Sequence, residues 1–239
     1  MNELTFCFIF ARGGSKGLPG KNMLPINRMP LIGHSIEIAK ISKKIDKVFI
    51  STDCKEIAHA GDLLGAEVIN RPLELASDTA SEWDAWQHAI YYVEQKYGYF
   101  TKFISLPATA PCRRATDVER CINLLDEDVD IVVTTTKSQR SPWFNMVTTD
   151  SMNRARLVND GEVFTRRQDA PMCHDMATVA YVSRPEFIKR SKGIWDGIVR
   201  AVDVPAYSAI DIDTFYDYTL AKLILETPGL IKRFEDLDL

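Results

Sequence analysis

Hydrophobic positions along the chain fall into two alternating patterns. Short runs rich in β-branched and aromatic residues, "TFCFIF" (5–10), "KVFIS" (47–51), "EVIN" (67–70), "KFISLP" (102–107) and "DIVVTTT" (130–136), have strand length. Between them lie "PLIGHSIEIAKISK" (30–43), "CKEIAHAGDLLG" (54–65), "SEWDAWQHAIYYVEQKY" (81–97) and "ATDVERCINLLDE" (115–127), in which apolar residues return at helical spacing. In the third of these, Trp83, Trp86, Ile90, Val93 and Tyr97 step by three and four, which predicts one buried helix face. Ser81 and Asp84 at its start fit a capping box, and Gly65 stands where a helix would end in a left-handed residue.

This β-α-β-α order predicts an α/β fold with a mainly parallel sheet and helices on both faces, since parallel strands need long crossovers. The alternation breaks after Lys137. Residues of about 138–177 are polar and turn-rich, and are expected to leave the main sheet as an arm. Strand-like "TVAYVS" (178–183) and "VRAVDVPA" (199–206) follow, and a last helix after "DIDT" (211–214) is expected to bury Tyr216, Leu220, Leu223 and Ile224. The 239 residues suffice for one substantial core, so a single domain spanning 1–239 is expected.

Charge narrows the possible partners. Lys plus Arg total 29 against 33 Asp plus Glu, a formal net charge of -4, so nothing attracts nucleic acid or an anionic membrane globally. Neither a leader segment nor an apolar stretch approaching a membrane span is evident, and a cytoplasmic protein is expected. Cys7, Cys54, Cys112, Cys121 and Cys173 are odd in number and lack the paired spacing of a zinc or redox site, so they read as reduced, mostly packing thiols. The four histidines have no metal-ligand spacing.

Anion binding must then be local, and "FIFARGGSKGLPGKN" (8–22) offers it. A hydrophobic strand ends in a loop carrying Arg12, Lys16 and Lys21 among glycines. In open α/β sheets ligands bind beyond the carboxyl ends of strands. Gly13, Gly14 and Gly17 permit a concave nest of N–H groups, which with three cations suits a polyphosphate; a solvated turn is the competing reading. Neither the P-loop nor the dinucleotide glycine pattern is present. Near the other end, Asp211 and Asp213 are spaced to share one face of an extended stretch, as two hard oxygen ligands for Mg2+ would, although Asp213 also reads as the N-cap of the last helix. A phosphate cradle and a dicarboxylate together are the parts of a nucleotidyl-transfer site.

"ARGGSKGLPGKN", "VFISTD", "NRPLELASDTAS" and "DIDT", in this order over nearly the whole chain, resemble the acylneuraminate cytidylyltransferases, or CMP-sialic acid synthetases. The resemblance implies a Rossmann-like nucleotidyltransferase fold and a homodimer whose protruding arm helps to cover the partner's sugar site. It implies transfer of CMP from CTP to the anomeric hydroxyl of a nonulosonic acid, with Mg2+ and release of pyrophosphate. By the same resemblance Arg12, Lys16 and Lys21 hold the triphosphate, with Ala11, Gly13, Gly14, Ser15 and Asn22 around the nucleotide. Arg71, Ala80 and Ser81 are similar to the segment around cytosine and ribose. Asp211 and Asp213 match the metal-binding aspartates, and catalysis is expected from Arg12, Lys16, Lys21 and Asp211.

Departures concentrate on the sugar side. Sialate-type members carry "LQPTSPLR" where this chain has "LPATAPCR", which puts Pro107 in place of a sugar-contacting glutamine. Their "NGAIYI" is replaced by "ATVAYV", with Ala177 and Thr178 standing for Asn and Gly and Tyr181 retained. Arg167 and Gln168 resemble the family's arginine-glutamine element, making Arg167 the candidate for the sugar carboxylate. These changes imply a bacterial-type member acting on legionaminate, pseudaminate or another modified nonulosonate. Alternatives are a transferase of the same fold acting on a Kdo-type acid or a sugar phosphate, and a non-catalytic nucleotide-binding regulator.

Overall fold

The computed structural model describes residues 3–15, 17–162 and 164–237. In chain order the elements are β1 (Thr5–Phe10), β2 (Pro25–Ile26), β3 (Met29–Pro30), α1 (Leu31–Ile41), β4 (Lys47–Thr52), α2 (Lys55–Leu63), β5 (Glu67–Asn70), α3 (Glu82–Tyr97), β6 (Lys102–Ser105) and α4 (Ala115–Leu124). They continue with β7 (Ile131–Lys137), β8 (Val147–Thr149), β9 (Ala155–Leu157), β10 (His174–Ser183), α5 (Pro185–Arg190), β11 (Val199–Asp203), α6 (Phe215–Glu226) and α7 (Leu230–Asp236). Seven strands form the main sheet in the order β11-β7-β10-β6-β1-β4-β5. All neighbours pair in parallel except β10, which is antiparallel to both β6 and β7.

Strand β1 shows why the sheet is covered on both sides. Its alternate residues Cys7 and Ile9 enter one buried cluster with Ile32, Ile36 and Val118, from α1 and α4. Phe6 and Phe8 enter a second cluster with Trp83, Trp86, Ile90 and Phe187, from α3 and α5. Phe8 stacks on Phe103 with ring centroids 4.8 Å apart and on Phe49 at 5.2 Å, so cross-strand aromatics on one face of the sheet support the register between β1, β4 and β6. Each of these fully buried rings contributes about 1.5–3 kcal/mol. The α3 face is as its spacing predicts, with Trp83, Trp86, Ile90 and Val93 buried, and Ser81 caps it by accepting from Trp83 N at 3.1 Å. The second half of the expected capping box is absent there. Gly65 does adopt φ +86° after α2.

The helix after "DIDT", α6, is not the last, since α7 follows it, and it differs in part from expectation: Ile224 is buried and Leu220 packs half-buried as expected, but the other two positions are not buried. Tyr216 and Leu223 are 75% and 57% exposed, whereas Tyr218, Ala221 and Ile224 face inward. Tyr218 fixes this rotation, because its hydroxyl donates to Pro25 O at 2.6 Å and its ring joins Ile26, Leu31 and Ile212 in a third cluster. The arm is a short antiparallel hairpin, β8 with β9, that packs into none of the three clusters. Among the described residues no helix is long and apolar enough to cross a membrane.

Two local devices bring distant segments to the carboxyl ends of β1, β4 and β6. The register of β10 shifts between Ala177 and Val182. Thr134 holds this irregularity: its buried hydroxyl donates to Ala177 O at 2.7 Å and accepts from Val179 N and Ala180 N, each at 3.2 Å. Separately, the loop after β1 presses on the stretch before α6, where a Cβ added to Gly17 would lie 2.4 Å from Asp213 O. We expect Gly17→Ala to destabilise the protein by about 1–3 kcal/mol. Gly14→Ala, with nothing within 4 Å of the added Cβ, is expected to stay within about 0.5 kcal/mol in the same chemical denaturation measurement.

Candidate active site

A cavity of about 480 Å3 opens where these segments meet, a size suited to a small-molecule substrate. Arg12, Ser15, Gly17, Lys21 and Asn22 line it from the loop after β1, and Asp211 and Asp213 from the stretch before α6. Arg71, Ala80, Ser81 and Glu82 come from the segment between β5 and α3, Pro107 and Thr109 from the loop after β6, and Thr178 and Tyr181 from β10. Thus a sheet-end site gathers most of the residues selected from the sequence. Lys16 lies outside the described residues.

The cations are held in two distinct ways. Lys21 Nζ donates to Ile212 O and pairs with Asp213 Oδ1, both at 2.8 Å, across more than 190 residues of sequence. Arg12 Nη1 lies 3.0 Å from Asp78 Oδ1 and 3.0 Å from Ser77 O. These partners leave both cations at the cavity surface. Arg71 is instead buried: its Nε donates to Ser51 Oγ at 3.1 Å, its Nη2 to Ser51 O at 2.6 Å, and its guanidinium lies 5.5 Å from the centre of the Phe10 ring. Burial lowers its pKa, while the nearby carboxylates of Asp53 and Glu82 oppose that shift.

The aspartates divide the roles their spacing left open. Asp213 is not the N-cap of α6; Thr214 is, in a capping box with Asp217. Asp211 Oδ1 is buried without a hydrogen-bond partner among the described residues. A buried carboxylate oxygen in that state is costly unless a cation or donor reaches it. Among the described residues no cluster of three or more His, Cys, Asp or Glu is arranged around a metal position. Two carboxylates nonetheless fit Mg2+, which takes one or two of them and completes its shell with water and substrate phosphate.

Other expected residues sit elsewhere. Ala11 is 1% exposed in the core, where its N–H donates to Ser51 O at 3.1 Å, and it does not line the cavity. Gly13 and Gly14 do not line it either, and neither has positive φ. The Gly13 N–H is taken by Asp53 Oδ1 at 2.9 Å, so the expected glycine nest does not turn this N–H towards phosphate. The left-handed turn in the loop belongs to Gly20, at φ +67°. Asn22 acts as a brace, donating from Nδ2 to Arg12 O at 3.0 Å. Arg167 and Gln168 line a separate cavity of about 430 Å3 with Lys137, Ser138 and Arg140. Cys7, Cys112 and Cys121 are buried, which raises their thiol pKa, for Cys112 and Cys121 to about 12, in keeping with packing roles.

Sequence reasoning missed Asp53, Asp78 and Glu82. Asp53 carried a usable signal, since it directly follows β4, at the carboxyl end of the strand beside β1. Glu82 looks locally like an ordinary acidic residue in a helix first turn, and only tertiary packing puts it in the cavity.

The chain is similar to several known proteins. It is 31% identical over 240 residues to post-translational flagellin modification protein B of Campylobacter coli, covering 96% of this chain and 98% of that protein. It is 30% identical over 227 residues to the CMP-N,N'-diacetyllegionaminic acid synthase of Campylobacter jejuni, covering 94% and 96%. The N-acylneuraminate cytidylyltransferase of Streptococcus agalactiae is 27% identical, the match covering 89% of this chain and 51% of that one. In fold, the chain is similar to a CMP:2-keto-3-deoxy-manno-octonic acid synthetase solved with CTP, at a TM-score of 0.68 and 18% identity over 93% of this chain and 98% of that one. The 4-diphosphocytidyl-2C-methyl-D-erythritol synthase of Anaerococcus prevotii gives a TM-score of 0.64 at 14% identity, covering 94% and 97%. The family model described as cytidylyltransferase matches residues 6–218, and the chain belongs to that family.

Proposed function

We propose that this cytidylyltransferase transfers CMP from CTP to the anomeric hydroxyl of a nonulosonic acid. The observation that carries this reading is one cavity joining Arg12 and Lys21, the Asp211/Asp213 pair and the Arg71–Ser81 segment. Similarity to a legionaminic acid synthase and an acylneuraminate cytidylyltransferase supports the acceptor class.

In this reading Arg12 and Lys21 hold the triphosphate, and Lys16 is given the same role on its place in the sequence. Their surface ion pairs with Asp78 and Asp213 are weak in water and exchange readily for phosphate oxygens. The fixed guanidinium of Arg71, with Ala80 and Ser81, forms the wall for the nucleoside. Attack of the acceptor hydroxyl oxygen on the α-phosphorus forms one P–O bond and breaks the bond to the β-phosphate, the hydroxyl proton being lost and pyrophosphate leaving. Held cations stabilise the charge that develops on the phosphate oxygens. Asp211 and Asp213 would hold Mg2+, which when bound neutralises phosphate charge.

A homodimer completes the site. The arm between β7 and β10 exposes Val147 and Met152 on its hairpin and Met172 after it, and Met176 stands exposed beside it at the start of β10, all between 48% and 72%, an unusual apolar exposure for a surface facing only water. Arg167 and Gln168 lie on this arm, away from the nucleotide cavity of their own chain. Dimerisation lets the arm of one protomer reach the other protomer's site, where Arg167 would bind the sugar carboxylate.

Pyrophosphate release is the direct test, measured with CTP and Mg2+ against N-acetylneuraminate, legionaminate, pseudaminate, Kdn and Kdo, with ATP, GTP and UTP as controls. Turnover of one nonulosonate with CTP is expected; turnover of Kdo alone, or CTP binding with no turnover, would overturn the reading. Lys21→Ala and Asp211→Ala are each expected to lower kcat/KM on the order of 100-fold or more. A change of only a few-fold would remove the phosphate and metal roles. Sedimentation of a Val147→Asp, Met176→Asp double variant is expected to show monomers where the wild type shows dimers.

A further inference from the structure

Cations and aspartates account for only part of the main cavity wall; Glu82, Pro107, Thr178 and Tyr181 are also in it. Pro107 has no N–H, and its carbonyl is turned inward, accepting from Ser35 Oγ at 3.1 Å and from Arg113 Nη2. It offers the cavity no polar group. Thr178 Oγ1 is buried with no hydrogen-bond partner among the described residues, beside the irregularity in β10 that Thr134 maintains. Tyr181 lies with its ring 5.4 Å from that of Trp86, and burial raises its phenol pKa to about 12, so it remains a neutral donor.

Glu82 is the acidic member of this wall. Among the described residues it has no ion-pair partner, and its single hydrogen bond is accepted from Trp86 Nε1 at 3.3 Å. A carboxylate accepts about four hydrogen bonds, so most of its capacity faces the cavity unspent. Protein packed around the carboxyl raises its pKa, the charge of Asp211 adds to this, and Trp86 and Arg71 oppose it. A carboxylate so placed gains from a neutral donor that approaches from the cavity.

We infer that Glu82 is a specificity-determining residue of the acceptor subsite, its carboxylate accepting a hydrogen bond from a hydroxyl or acylamino N–H of the bound acid. Thr178 supplies a hydroxyl to the same subsite. This rests on the nonulosonate reading above. Glu82 is exposed to the cavity mouth, so a bound acid would cover its carboxylate, and a site that hydrogen-bonds a donor group rejects analogues lacking it more strongly than apolar pockets reject a missing methylene.

The test measures pyrophosphate release by the wild type, Glu82→Gln and Glu82→Ala across the acid panel, with CTP-induced thermal stabilisation as the folding control. For the acid that the wild type uses best, Glu82→Ala is expected to raise the acceptor KM on the order of 10-fold or more, with the CTP KM changed less than about twofold. Glu82→Gln keeps an acceptor oxygen and loses the charge, so its KM is expected to fall between the two. The kcat/KM ratio between the preferred acid and an analogue lacking one donor is expected to shrink in Glu82→Ala. An acceptor KM and ratio within about twofold of wild type, or equal losses for CTP and acceptor, would overturn the inference while leaving the function intact. If Glu82→Ala shows no CTP-induced stabilisation, Glu82→Gln alone decides. Absence of turnover by the wild type with every acid overturns the nonulosonate reading, and the inference with it.

Discussion

The aspartates and Lys21 depend on the seam at Ile212. Its side chain is fully buried with Ile26, Leu31 and Tyr218, its N–H donates to Thr109 O at 2.8 Å, and its carbonyl accepts from Lys21 Nζ at 2.8 Å. Three segments far apart in sequence are joined through one residue that carries no chemistry itself. Because Ile212 is flanked by Asp211 and Asp213, the apolar burial that fixes it also fixes both carboxylates. Gly17 closes the same seam from the other side, since only a residue without Cβ can approach Asp213 O so closely. Loss of this seam would remove the aspartates and the anchor of Lys21 together.

Around the seam the charges separate into exchangeable and fixed sets. Lys21 with Asp213 and Arg12 with Asp78 are pairs with at least one member well exposed, worth about 0–1 kcal/mol each. A polyphosphate can replace such partners at little cost. Arg71 is different, because two hydrogen bonds to Ser51 and the Phe10 ring hold a desolvated guanidinium in one orientation. The former set suits a substrate whose charge changes during reaction, and the latter suits a wall that must not move.

The strands were readable because both faces of the sheet are buried, so runs such as "TFCFIF" stand out as continuous apolar segments. The same property hides the rotation of α6. Apolar residues surround most of "FYDYTLAKLILE", so spacing alone did not choose between Tyr216 and Tyr218, and a hydrogen bond to Pro25 O did. The cationic loop was visible because Arg12 and Lys21 lie close together in sequence. Its glycines do something other than form the expected nest. Gly17 provides a close approach and Gly20 a left-handed turn, while the Gly13 N–H is spent on Asp53. Asp53 and Glu82 acquire their roles only when strand order and helix placement bring them in.

This asymmetry has a physical consequence for how such a site diversifies. The cationic end of the cavity is built largely from one contiguous loop whose members brace each other, as Asn22 does for Arg12. Substitution there disturbs several contacts at once. The remaining wall takes single side chains from α3, the loop after β6 and the irregular part of β10, each anchored separately in its own element. Pro107 and Thr178 can therefore vary without touching Lys21 or Asp213. A wall assembled in this way can change its hydrogen-bonding pattern one residue at a time while the cationic end stays as it is.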